Sequence, residues 1–179
     1  CNGQRFACVF GAGMVAHIVR LVHEQRKRHL TQLHYLPILV SRALVPTAWK
    51  IRVEVDGTLL YEGANGVCVG NSRSYGGPVA VTPCASPADG KLDVMATRIG
   101  NILELLQPGL AALLRGLHAS EGAVYGRGKR VRLTSPRDQV PWEVDGDYGG
   151  QLPAEIHVEP GRLRLLTPRS FHPEPRGYP

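Results

Sequence analysis

The chain alternates between two hydrophobic periods. From Trp49 to Val55 the apolar residues Trp49, Ile51, Val53 and Val55 take turns with Lys50, Arg52 and Glu54, the spacing of a strand that lays one face on a core. Asp56-Gly57 follows, then Leu59-Leu60-Tyr61, and Asp-Gly between two such runs predicts a tight hairpin. Asn65 to Asn71 reads as a more fully buried strand and Leu92 to Arg98 as another. Short strands are also expected at Lys129–Thr134, Val140–Val144, Glu155–Glu159 and Arg162–Thr167, the last two joined by a turn at Pro160-Gly161. Phe6 to Phe10 predicts a strand that ends in a tight turn at Gly11-Ala12-Gly13.

Twice the period lengthens. Ala16 to Leu44 is broadly helical, with Pro37 interrupting it, and the leucines from Ile102 to Leu117 suit a second helix kinked at Pro108-Gly109. A loop rich in Gly, Pro and Ser spans Ser72 to Gly90. Many short strands between Gly/Pro turns, with two helical inserts, predict a mainly β (α+β) domain, a β-sandwich over residues 1–168. The Pro-rich tail, residues 169–179, reads as loose.

Composition narrows the class without naming a function. A length of 179 residues suits one domain, and 43% hydrophobic with 20% charged residues fits a globular chain. No stretch reaches the length of a membrane span, and no secretory signal opens the chain. Cys1-Asn2-Gly3-Gln4 carries no initiating Met, which predicts a start inside a longer protein. Cys1, Cys8, Cys68 and Cys84 match no zinc spacing, so a reduced, cytoplasmic setting is expected. The formal net charge is +6, and six basic residues against Glu24 alone lie in residues 1–48. Arg20 to Arg42 could thus meet an anionic lipid surface, although a solvated helix face is the simpler reading. The basic run Gly126–Arg130 lacks interleaved aromatics, so no nucleic-acid partner is expected.

Candidate chemistry lies in two Asp-Gly turns, Pro87-Ala88-Asp89-Gly90-Lys91-Leu92-Asp93 and Val144-Asp145-Gly146-Asp147. Such turns can hold a divalent cation through side-chain and backbone oxygens or place a general base beside a hydroxyl. Singly, each is more often a plain β-turn. The histidines His17, His23, His29 and His34 form no H-E-x-x-H pair. No nucleophile elbow or P-loop is present.

The order of the pieces is more specific than any one of them. Asn71-Ser72-Arg73-Ser74-Tyr75-Gly76-Gly77, then Pro83 to Asp93 as P-x-A-x-x-x-D-G-x-L-D, then Asp145-Gly146-Asp147 and Pro153 together resemble the C-terminal domain of the diacylglycerol kinase catalytic family, which includes bacterial lipid kinases and sphingosine kinases. The likeness runs over residues 3–168. It implies a β-sandwich that forms one wall of a cleft, with ATP held by an N-terminal nucleotide-binding domain whose G-G-D-G-T motif this chain lacks. It implies transfer of the γ-phosphate of ATP to a lipid hydroxyl at a peripheral, anionic membrane surface, and it is compatible with a homodimer. The family's proton-accepting glutamate falls on Asp147, with Asp145 as companion acid. Its magnesium falls on the Asp89 side chain and the Ser86 and Lys91 carbonyls. An aspartate thus stands where the family has glutamate, and Val15 stands near the place of a family acid. The chain alone is expected to be inactive. The alternatives weighed are an NAD kinase-like phosphotransferase domain and a non-catalytic binding module.

Overall fold

The computed structural model describes residues 1–17, 19–20, 49–74, 80–98, 123–136, 139–168 and 170. These form ten strands: β1 (Val9–Gly13), β2 (Ile51–Val55), β3 (Thr58–Ala64), β4 (Gly66–Gly70), β5 (Leu92–Thr97), β6 (Ala123–Gly128), β7 (Arg130–Thr134), β8 (Pro141–Val144), β9 (Asp147–Gln151) and β10 (Ala154–His157). They build two antiparallel sheets, one in the order β6-β5-β4-β1-β8-β9 and one in the order β10-β7-β2-β3. The expected mainly β sandwich is the fold observed.

The sheets meet over one apolar core. Phe10, Val67, Val69, Val94 and Trp142 of the larger sheet pack with Ile51, Val53, Val131, Leu133 and Ile156 of the smaller. Alternation decides which residues these are: in β2, Ile51, Val53 and Val55 are buried while Arg52 and Glu54 are half-buried. The outer face of the smaller sheet is polar. Arg52 pairs there with Glu54 at 2.9 Å and Glu62 at 2.6 Å.

The central strands of the larger sheet are buried on both faces, while β6 and β9 at its edges are mostly half-buried to exposed. β1 and β4 are buried at every residue, and the face turned away from the core carries Cys68, Asp93, Met95 and Glu143, all buried. Continuous apolar runs such as Gly66–Gly70 are what a strand covered on both sides requires.

Three features differ from the sequence pattern. The glycines expected as a turn, Gly11 and Gly13, lie inside β1. A Cβ on Gly11 would sit 2.5 Å from Glu143 Oε1 and 2.6 Å from Val15 Cγ1, so the strand needs glycine to admit those side chains. β6 and β9 are strands without an expected counterpart. Both are glycine-rich, because Leu60 lies on Gly126 and the Trp142 ring on Gly149, and glycine carries no hydropathy signal. Of residues 162–167, expected as a strand, Arg162 lies in a bend and residues 163–167 have no regular structure. Leu163, Leu165 and Leu166 are 62%, 66% and 106% exposed, because no neighbouring strand pairs with them among the described residues. Residues 14–17 and 19–20 are helical, so the helix expected from Ala16 is present there and starts two residues earlier, at Met14. The remainder of the Ala16–Leu44 helix, the Ile102–Leu117 helix and the tail beyond 170 lie outside the described residues.

Candidate functional site

The three motifs leave the same end of the larger sheet. Val9 pairs with Gly70, Phe10 with Val144, Gly70 with Asp93 and Val144 with Asp147. The end of β4 that leads to Asn71, the start of β5 after the Asp89 turn, and the β8–β9 turn therefore share one edge with residues 7 and 8, which precede β1.

Residues 7–9 tie two of the motifs together. Asp145 takes φ of +50° and Gly146 +95°, the two left-handed positions of a type I′ hairpin. The Asp145 carboxylate accepts the backbone N–H groups of Ala7 at 2.7 Å, Cys8 at 2.9 Å and Val9 at 2.8 Å. Its own N–H donates to the Val9 carbonyl at 2.9 Å. From the other side, Asn71 Nδ2 donates to the Ala7 carbonyl at 2.9 Å, and the Asn71 and Ser72 N–H groups donate to the Cys8 carbonyl at 2.8 and 3.1 Å. Successive amides turned toward one carboxylate form an anion-holding concavity, and here it is filled by the protein's own acid.

Glu143 supports the turn from beneath. It is 1% exposed, and its Oε2 accepts the Gly146 N–H at 2.7 Å. No motif singles this residue out, because its role comes from its register opposite Gly11. Burial, and then the Glu143 charge, push the Cys68 thiol up to about 12. Asp147, the first residue of β9, is exposed at the lip of the turn. Of the two acids expected at this turn, Asp145 is thus absorbed in holding it, and Asp147 points into solvent.

The Asp89 loop lies at the opposite side of the same edge. Four strand steps of ~4.8 Å separate β5 from β9, about 19 Å in all. Asp89 Oδ1 accepts the Lys91 N–H at 2.9 Å, and Oδ2 is bonded to the Arg127 guanidinium. Ser86 is buried, and its carbonyl faces the Asp89 N–H at 3.4 Å. Arg127 also donates to the Cys84 carbonyl at 3.1 Å and lies 3.4 Å from Asp93 Oδ2, while Tyr125 donates to Asp93 Oδ1 at 2.5 Å. Burial raises the Asp93 carboxyl above its ordinary range, against the Tyr125 bond and the Arg127 charge. These residues do not fit the magnesium implied by the resemblance. That ion wants near-octahedral oxygen ligands, and here a cation already covers the Asp89 carboxylate.

Comparison with known proteins identifies the domain family. Residues 8–167 match the model of the YegS C-terminal NAD kinase beta sandwich-like domain. The chain is 29% identical over 171 residues to a diacylglycerol kinase of Bacillus subtilis (strain 168), covering 94% of this chain and 55% of that protein. It is 36% identical over 101 residues to a diacylglycerol kinase of Mycobacterium tuberculosis (strain H37Rv), covering 56% and 32%. The crystal structure of a diacylglycerol kinase from Bacillus anthracis str. Sterne superposes with a TM-score of 0.62 at 20% identity, over 89% of this chain and 51% of that one. The chain thus spans about half the length of the relatives it matches. With its sandwich, its motif-bearing edge and this match over nearly its whole length, the chain belongs to the family of YegS C-terminal, NAD kinase β-sandwich-like domains, whose relatives here are named as diacylglycerol kinases.

Proposed function

We propose that this chain is the acceptor-side half of an ATP-dependent lipid kinase, transferring the γ-phosphate of ATP to the hydroxyl of a diacylglycerol-like lipid. The observation that carries the reading is the exposed Asp147 on a turn that Asp145 and Glu143 hold from two sides. A base must meet a hydroxyl at hydrogen-bond distance, so a carboxylate on a fixed turn at the rim of a sheet suits the task. Phosphoryl transfer depends mainly on placing the hydroxyl in line with the phosphate and offsetting the charge there. In this reading Asp147 accepts the hydroxyl proton and Asp145 positions the turn. ATP, with its magnesium, is held chiefly by a nucleotide-binding half outside these residues.

The membrane approach in this reading is peripheral and cytoplasmic. Among the described residues no helix is long and apolar enough to cross a bilayer. The basic residues from Arg20 to Arg42 would meet anionic lipid. Vesicle sedimentation should therefore weaken with added salt, and binding indifferent to salt and anionic lipid would count against it.

The main test uses a protein that carries this chain together with its nucleotide-binding half. Asp147→Asn should lower ATP-dependent phosphorylation of diacylglycerol by at least about 100-fold, and Asp147→Glu should retain or raise it. Equal activity of Asp147→Asn and wild type would overturn the assignment of the base. Phosphorylation of NAD in place of any lipid would replace the lipid reading with the NAD kinase one. The 179-residue chain assayed alone should transfer no phosphate.

A further inference from the structure

We propose that the Arg127 guanidinium is the resident cation of the loop 84–93, holding it without a bound divalent metal. This inference stands apart from the kinase reading, because it concerns what closes the loop and not what reacts at Asp147.

The register places the residue. Arg127 on β6 pairs with Asp93 on β5, so their side chains lie on the same face of the sheet, the one turned away from the sandwich core. From there the guanidinium reaches three points, two on the loop that precedes β5 and one on β5 itself. It bonds the Asp89 carboxylate, donates to the Cys84 carbonyl at 3.1 Å, and brings Nε to 3.4 Å from Asp93 Oδ2. Asp93 is fully buried, and its Oδ2 has no hydrogen-bond partner among the described residues, so the nearby positive charge offsets a carboxylate that has left water. Tyr125 O–H satisfies the other oxygen at 2.5 Å.

A loop-bound divalent ion would gather a carboxylate and backbone carbonyls around one positive centre. Arg127 does this with a planar fork of donors, which suits two carboxylates and a carbonyl at different distances. A magnesium ion on Asp89 would have to displace the guanidinium or sit against it, two cations sharing one carboxylate at the cost of their repulsion. The Lys91 N–H on Asp89 Oδ1 also lowers what that oxygen can offer a metal. The Arg127 and Asp89 side chains are 33% and 25% exposed, so the cluster is screened from bulk water without being sealed.

The test is thermal unfolding of the full chain in EDTA and in millimolar Mg2+, with Mn2+ binding followed by its electron paramagnetic resonance signal. The wild-type melting temperature should be the same in EDTA and Mg2+, with no Mn2+ binding that Asp89→Asn removes. Arg127→Ala should melt lower by about 5 °C. Arg127→Lys, which keeps the charge but loses the fork, should fall between the two. If Arg127→Ala fails to fold, Arg127→Lys and the wild-type Mn2+ titration still decide. A wild type that is stabilised by Mg2+ or binds Mn2+ through Asp89 would overturn the proposal. So would an Arg127→Ala chain as stable as wild type.

Discussion

The fold contains the same small device twice, and its two copies are used differently. The β2–β3 hairpin turns on Asp56-Gly57 at φ +48° and +81°, and the β8–β9 hairpin on Asp145-Gly146 at +50° and +95°. In each, the aspartate reaches across to a neighbouring segment's backbone. Asp56 accepts Lys129 N–H at 3.0 Å and Arg130 N–H at 2.8 Å, and Asp145 accepts the N–H groups of residues 7, 8 and 9. A turn with no candidate chemistry thus has the same locked acid. The lock is architecture in both, and the residue after the glycine distinguishes them: Thr58 in the first turn, Asp147 in the second. The second turn also stands at the edge where Asn71 and the Asp89 loop emerge, while the first lies on the smaller sheet.

The comparison breaks most sharply at that third residue. In the protein with both halves, Asp147→Asn should lower lipid phosphorylation by about 10²- to 10⁴-fold, the usual worth of a positioned base. The stability of the chain should change by no more than about 0.5 kcal/mol, as for other exposed sites. Enzyme assay and urea unfolding together check the pair. A loss of activity that tracked a loss of fold would return Asp147 to the same structural class as Asp145.

The two locks themselves should differ by degree. Asp145→Ala strands three amides that faced a carboxylate, and Asp56→Ala strands two. With hydrogen bonds to a charged group worth about 1.5–3 kcal/mol each before relaxation and rehydration at these exposed sites, we expect losses of about 3 and 2 kcal/mol. Asparagine, which tolerates the left-handed backbone, should cost less at both positions. Urea unfolding measures both series, and equal or reversed losses would mean that the residue 7–9 segment contributes less than its geometry indicates.

How much of this was legible in the sequence depends on which residues carry a signal. The Asp56-Gly57 hairpin was readable because Ile51, Val53 and Val55 alternate on a half-buried strand. β4 was readable because a continuous apolar run suits a strand covered on both faces. β9 was not, since Tyr148-Gly149-Gly150 has no alternation. The glycines are there because a Cβ at Gly149 would overlap the Trp142 ring, a contact set by the hairpin partner. Leu163 and Leu165 alternate as a strand should, but alternation only marks a face. At 62% and 66% exposed, that face meets nothing among the described residues. The acids of the site were visible as a motif, but their division of labour was not. Asp145 became a lock through residues 7–9, Glu143 a prop in register with Gly11, and Arg127 a counter-charge in register with Asp93, contacts between distant stretches of chain that no local window contains.

Beneath the second turn lies a titratable pair that the first lacks. Cys68, raised to about 12 from an ordinary value of 9, faces Glu143, and Glu143 holds Gly146. A raised folded value means that the native state keeps the proton longer than the unfolded chain does. The stability is then complete below pH 9 and is lost as pH rises toward 12, by up to about 1.4 kcal/mol per pH unit for one proton. Cys68→Ala should flatten the fall in unfolding free energy between pH 9 and 11 by up to that slope, and an unchanged slope would place the thiol in contact with water. Tyr125, whose hydroxyl is also raised, first by burial and then by the Asp93 bond, titrates in both chains and cancels in the comparison.

The smallest expected effect is the most specific. Thr58→Asp would write Asp-Gly-Asp into the first hairpin, giving both turns the same three residues on the same backbone. Thr58 is exposed at the start of β3, so unfolding free energy should move by no more than about 0.5 kcal/mol. Combined with Asp147→Asn in the protein with both halves, the transplanted acid should restore no lipid phosphorylation. The local geometry would be reproduced, but it would sit on the smaller sheet, away from the edge that residues 7–9, Asn71 and the Asp89 loop share. Recovered activity would mean that any Asp-Gly-Asp hairpin suffices. Its absence would locate the function in the edge and not in the turn, since position among the other motifs is the one property the two hairpins would then not have in common.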